Sequence, residues 1–287
     1  MRPALPALLL GATCIALSPI FVRLSDVGPT ASAFWRVALA APLLWPLLAL
    51  ASRTARSRPD WRLLLAAGFA FAGDLAFWHW SIQFTSVANS TLLANLASLF
   101  VTLVAWIFWR ERPSALFAVG LAAALGGVVL LVHTSLAFSS TALLGDALGV
   151  VTAVFYAGYI LAVKGLRDRG AGTLYLMAVT TTLTAVLLLP VALASGEALL
   201  PQSAAGWLKL VGLAWISHCA GQGLIAYSLA HLPAAFSSVS LLFQPVMAAV
   251  FAWIVLAEPL APLQMLGGAV VLAGIYLARR GSIKTAA

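Results

Sequence analysis

Apolar runs of membrane length, each closed by a short polar or Pro/Gly break, recur along the whole chain. A helix rising about 1.5 Å per residue needs about 20 apolar residues to cross the hydrocarbon core of a bilayer. Runs of that kind predict ten helices, at residues 4–24, 32–51, 62–84, 88–110, 115–134, 144–165, 173–194, 206–230, 235–256 and 262–280. Turn and charge signals mark the breaks: Asp26-Val-Gly-Pro29, Arg53 to Asp60, Glu111-Arg-Pro113, Arg167-Asp-Arg-Gly170, Gly196-Glu197 with Pro201, and Glu258-Pro259. Two links, Thr85–Ala88 and His231–Ala234, are so short that the helices they join form tight antiparallel hairpins.

Composition agrees with the pattern. The 287 residues are 63% hydrophobic and only 8% charged, where a soluble domain carries about 25% charged residues. Mean hydropathy is +1.04. The expected fold class is therefore an all-α membrane protein. Met1-Arg2 followed by Leu5–Leu17 resembles a secretory leader, but Thr13 stands before Cys14 where a small residue is expected for lipoprotein cleavage. The run is read as a retained first membrane helix.

The net charge of +8 suggests nucleic acid until its placement is read. With the N-terminus in the cytoplasm, thirteen basic residues fall on cytoplasmic loops or helix ends: Arg2, Arg53, Arg56, Arg58, Arg62, Arg110, Arg112, Lys164, Arg167, Arg169, Arg279, Arg280 and Lys284. Only Arg23, Arg36 and Lys209 fall elsewhere. This is the positive-inside pattern, so both termini are expected in the cytoplasm of an inner-membrane, multi-pass protein. Nucleic acid is not an expected partner. Cys14 and Cys219 lie inside apolar runs, and no His/Cys spacing suits a metal, so neither a disulfide nor a metal cofactor is expected.

The chain also repeats itself. Shifted by about 147 positions, Trp80–Val128 lies on Tyr227–Ile275 without a gap. Ser81 falls on Ser228, Ser90 on Ser237, Trp106 on Trp253, Glu111 on Glu258, Gly120 on Gly267 and Gly127 on Gly274. Two homologous units follow, residues 1–137 and 138–287, with five helices each. An odd number of spans makes the second unit enter from the opposite side. The expectation is thus two inverted five-helix repeats about an axis in the membrane plane, with a site near mid-bilayer.

The segment Leu241-Leu-Phe-Gln-Pro-Val-Met247, with Ala252-Trp253, Glu258-Pro259, Gly267 and Gly274-Ile-Tyr276, resembles the EamA repeat of the drug/metabolite transporter superfamily. Leu93-Ala-Asn-Leu96, Trp106, Glu111-Arg-Pro113, Gly120 and Gly127 carry the same pattern in the first half, and Phe34-Trp-Arg36 resembles the family's second helix. The resemblance implies a ten-helix exporter of amino acids or metabolites, nearest to the YddG-like aromatic amino-acid exporters. Ser98 stands where the family often has Pro, as at Pro245. A proline-free fourth helix is expected to bend less than the ninth.

Candidate site residues are the polar ones that an apolar span would not otherwise keep. Asp74 lies about twelve residues into the third helix, about 18 Å along it, where a charge costs at least about 3 kcal/mol. It is read as a proton or substrate-amine site, or as an acid hydrogen-bonded between helices. His79 and Gln83, four apart and so on one face, flanked by Trp78 and Trp80, form a polar ridge that suits a zwitterion with an apolar side chain; the alternative is an interhelical tie. Arg36 suits a substrate carboxylate, or snorkels to the interface. Asn95, Gln222, Tyr227 and Gln244 are lone polar groups fit for interhelical bonds, with Tyr227 and Gln244 also taken as substrate contacts. Pro19 and Pro245 are expected hinges. Glu111 and Glu258 are expected to tie helix ends at the interface.

These features point to a secondary transporter exporting small metabolites by alternating access, in a lipid bilayer. One protomer suffices for a complete site, and a dimer stays open. No Gly-x-x-x-x-Gly-Lys-Ser/Thr run occurs, so ATP is not expected as the direct driver. Proton coupling is left open. A proton-coupled exporter of lipophilic cations is the second reading, with Asp74 as its carboxylate. An intramembrane enzyme is not expected, since no nucleophile or metal set joins Asp74 and His79.

Overall fold

The computed structural model describes residues 3–51, 60–85, 87–110, 112–133 and 142–285. It holds ten helices long and apolar enough to span a membrane: α1 (Ala4–Leu24), α2 (Pro29–Leu50), α3 (Trp61–Phe84), α4 (Asn89–Trp109), α5 (Ala115–Val132), α6 (Ala142–Asp168), α7 (Thr173–Ala194), α8 (Ala204–Leu229), α9 (Ala234–Leu256) and α10 (Pro262–Ser282). The described residues contain no strand. Arg2, Arg53, Arg56, Arg58 and Glu111 lie outside the described residues.

The outer face is apolar, with Phe108 and Leu208 exposed by 74% and 72%, a surface that only lipid solvates cheaply. Inside, small residues bring helices together, since lipid-immersed helices associate through close packing rather than hydrophobic expulsion. The α5–α10 seam shows this best. A Cβ on Gly127 would stand 2.7 Å from the Gly267 oxygen, and one on Gly274 would stand 2.6 Å from the Gly120 oxygen. α1 crosses α8 at Gly11 and Gly221, where a Cβ on Gly11 would lie 2.8 Å from the Gly221 oxygen.

Packing between the chain halves runs in matched pairs. α3 packs antiparallel on α6, and α1 antiparallel on α8; α2 meets α7, α4 meets α9, and α5 meets α10. Ser81 on α3 donates to the Gly145 carbonyl of α6 at 2.7 Å, and Ser228 on α8 donates to the Ala4 carbonyl of α1 at 2.9 Å.

The two ends of the bundle are tied differently. At one, the Glu258 end, Arg23 pairs with Glu258, the Ser203 hydroxyl donates to Asp26 at 2.9 Å, and Glu197 accepts from the Ala31 N–H at 2.9 Å. Glu258 thus joins the ends of α1 and α9, where the sequence places an interface tie. At the other, the Asp60 end, Asp60 pairs with Arg169 and Ser114 donates to the Gly281 carbonyl at 3.2 Å.

Several helices are interrupted at mid-span. α1 breaks at Leu17, just before Pro19, and α9 breaks at Leu241–Leu242, where Pro245 cannot return an N–H to Leu241. α4 breaks at the matching place, Asn95–Leu96, although it has no proline. This corrects the expectation of a straighter α4. The Ser98 N–H bonds three residues back to Asn95, the Asn95 side chain donates to the Thr91 carbonyl at 2.8 Å, and the Ser98 hydroxyl donates to Ser238 of α9 at 2.9 Å. The Ser98 hydroxyl thus reaches a carbonyl beside the α9 break, while the Asn95 amide adds a second donor to a Thr91 carbonyl that keeps its ladder N–H. In α8 the stretch Leu213–Gln222 is π-helical, with one residue more per turn than its flanks.

Candidate functional site

Around the α1, α4 and α9 breaks lies a cavity of about 150 Å³, lined also by α2, α3, α6 and α8. Its polar lining includes Arg36, Asp74, His79, Asn95, Gln222 and Gln244, set among apolar walls such as Ile15, Phe71, Leu75 and Trp78. Pro19 and Pro245, the expected hinges, line it too.

Arg36 does not snorkel. It is 9% exposed, its guanidinium carbon lies 5.8 Å from the centroid of Phe71, and its Nε is buried without a hydrogen-bond partner. Burying an unpaired guanidinium is costly unless a counter-charge answers it. Asp74 supplies that charge: the two act on each other electrostatically across the cavity. Among the described residues, however, no ion pair within 4.0 Å joins them. One positive and one negative group therefore face the same space separately.

His79, 3% exposed, shares a short hydrogen bond through Nδ1 with the Leu75 carbonyl of its own helix, and its Nε2 is buried without a partner. Tyr156 of α6 and Gln244 of α9 both line the cavity, and the Gln244 Nε2 is also buried and unpartnered. Gln222, 2% exposed, has an unpartnered Oε1. Buried polar groups are usually satisfied. Several unsatisfied ones at one cavity mark a place where a polar ligand or water completes the bonding.

The structure thus brings together Arg36, Asp74, Trp78, His79 and Gln244 of the expected site residues. It leaves out Trp80, Gln83 and Tyr227. Trp80 stands two residues from Trp78, about 200° around the helix, and points outward, 37% exposed with its ring edge-on to Phe77. Gln83 sits in the last turn of α3 and is exposed, beyond the cavity. Tyr227 sits in the last turn of α8, against His231, at the Asp60 end.

Phe71, Tyr156, Tyr159 and His218 were not singled out by sequence. Beneath the cavity Phe71 stacks near Tyr159 (4.7 Å) and His218 (5.4 Å), and His218 Nε2 lies 2.8 Å from the Thr181 hydroxyl. One signal was present: tyrosine favours the membrane interfaces, yet Tyr156 and Tyr159 fall in the middle of α6. From the Asp60 end, seven to twelve residues of α1, α3, α6, α8 and α9 precede the first cavity residue. The cavity therefore lies towards the Glu258 end.

Ten membrane-length helices among the described residues, around a polar-lined cavity, give the chain the build of a multi-pass membrane protein. The chain belongs to the EamA-like transporter family, whose model matches residues 2–133 and again 143–280. Among curated relatives, an uncharacterized transporter of Archaeoglobus fulgidus is 31% identical over 90% of this chain and 91% of its own. The pseudopaline exporter of Pseudomonas aeruginosa is 27% identical, over 86% and 84%. A probable terminal-alkyne amino-acid exporter of Streptantibioticus cattleyicolor is 28% identical, over 82% and 78%. A solved crystal structure superposes with a TM-score of 0.79 at 18% identity, covering 96% of this chain and 95% of that one, which shows the shared fold.

Proposed function

We propose that this protein is a secondary transporter that exports amino acids or similar zwitterionic metabolites across the inner membrane by alternating access. The observation that carries the reading is the pair Arg36 and Asp74, opposite in charge, unpaired, and facing one cavity. A carboxylate fits the planar fork of Arg36 and an ammonium fits Asp74. Two related proteins named as exporters, one of pseudopaline and one of terminal-alkyne amino acids, agree with that substrate class. Phe71, Trp78 and Tyr156 on the walls keep aromatic amino acids, the cargo of the YddG-like exporters, in the panel to be tested.

Alternating access rests on two inverted halves, residues 1–137 and 138–287. The support is the matched packing: Ser81 and Ser228, related by the repeat, make equivalent bonds across the halves. Phe71 and His218, also about 147 positions apart, touch each other, as residues do on a pseudo-two-fold axis. The basic residues set the orientation. Arg62, Arg110, Arg112, Lys164, Arg167, Arg169, Arg279 and Arg280 gather at the Asp60 end, so that end is cytoplasmic, with both termini. On this reading the cavity faces the periplasmic side, and the Phe71–Tyr159–His218 layer closes the route inward.

The cation-exporter alternative is less well supported. Arg36 shares the cavity with Asp74 and repels a cation that brings no carboxylate. Counterflow by purified protein in liposomes separates the readings. Labelled amino acids should exchange and tetraphenylphosphonium should not; exchange of the cation alone would overturn the assignment.

A further inference from the structure

The imidazole of His79 is placed as an acceptor, and that narrows the substrate. We infer that His79 reads a hydrogen-bond donor on the substrate's side chain, so that the preferred cargo is an amino acid bearing a hydroxyl, amide or similar N–H/O–H group. This rests on the zwitterion reading above.

His79 Nδ1 meets the Leu75 carbonyl of its own helix, so Nδ1 carries the hydrogen. A neutral imidazole bonded this way presents only a lone pair at Nε2. That Nε2 is buried and has no partner, on its own helix or any other, and the residue lines the cavity. A histidine kept to tie helices together would show a bond across to a neighbour. Its one hydrogen bond is instead local, and it fixes the ring.

Neighbouring groups sharpen the assignment. Trp78 lies edge-on to the ring at 4.9 Å, restricting it further. The repeat-related position is Ala226, 1% exposed in the packed core, so the scaffold itself does not require a polar side chain here. Arg36 suits the carboxylate and Asp74 the ammonium, which leaves His79 for the part of the substrate that varies among amino acids. An apolar side chain would leave Nε2 desolvated and unpaired, which a site built to bond a donor penalises.

Isosteric pairs test this in the same liposomes: L-threonine against L-valine, and L-serine against L-2-aminobutyrate. The hydroxylated member should be carried with about tenfold higher kcat/KM, the worth of one hydrogen bond in discrimination. In His79→Phe that ratio should fall below about threefold, while His79→Gln, which keeps an acceptor, should hold most of it. A wild-type ratio near one for the pairs that are carried overturns the inference and leaves the zwitterion reading standing. So does an undiminished ratio in a folded His79→Phe. Counterflow with no amino acid at all overturns both. Because the first comparison uses the unaltered chain, a variant that fails to fold does not spoil the test.

Discussion

Gly127 of α5 faces Gly267 of α10 so closely that a methyl on Gly127 would stand 2.7 Å from the Gly267 oxygen and 2.6 Å from the Val271 nitrogen. Both obstacles are backbone, so neither can swing aside. Gly127→Ala should therefore cost about 1–3 kcal/mol of stability, the range for overpacking a tight core. The adjacent Gly126 is an internal control, because nothing lies within 4 Å of its added Cβ. Gly126→Ala should stay within about 0.5 kcal/mol of the parent. Thermal unfolding in detergent measures both, and equal losses would argue against the seam.

Topology has a direct test. Gln202, at the Glu258 end, and Arg280, at the Asp60 end, are both exposed. With a cysteine at each site in turn, in a chain lacking Cys14 and Cys219, an impermeant thiol reagent should label Gln202→Cys in intact cells. Arg280→Cys should label only after permeabilisation. Labelling of both from outside would break the three-span path of α8, α9 and α10 between them and with it the periplasmic placement of the cavity.

The breaks in α4 and α9 make a paired prediction. Ser98 ties the α4 break to Ser238 at the top of the α9 break, while Pro245 causes the α9 break by lacking an N–H. Ser98→Ala and Pro245→Ala should each slow counterflow several-fold at equal abundance of folded protein. If Pro245→Ala alone slows it, the two breaks do not act as a unit.

Much of this was legible in the sequence, and for physical reasons. The ten spans follow from the length of apolar run that a bilayer demands, although α2 starts at Pro29 and α6 runs on to Asp168, and Asp74 and Arg36 stood out because membranes rarely keep charge. What was hidden depended on direction and on neighbours. Gln83 follows the helical face of His79, yet α3 ends one residue later, so the cavity does not reach it. Ser98 read as a missing kink, because only the structure shows α4 interrupted at Asn95–Leu96 without a proline and the Ser98 hydroxyl bonded to Ser238. Phe71 and His218 look ordinary alone; their meaning comes from touching across the repeat.

Arg36 and Asp74 support a prediction with both a stability and a transport arm. The two act on each other electrostatically in a low-dielectric interior, although they do not form a contact pair. Removing one, in Arg36→Gln or Asp74→Asn, leaves the other buried with less to answer it, and that is more harmful than removing both. The double variant should therefore be more stable than the two single losses add up to, with a coupling of about 0.5–3 kcal/mol. Transport behaves oppositely. If one group holds the carboxylate and the other the ammonium, every variant, the double included, should lose at least about tenfold in amino-acid counterflow. Melting curves and counterflow on the four proteins decide it. Strict additivity of the stability losses would show that the charges do not sense each other, and near-normal turnover in the double variant would remove both residues from the substrate site.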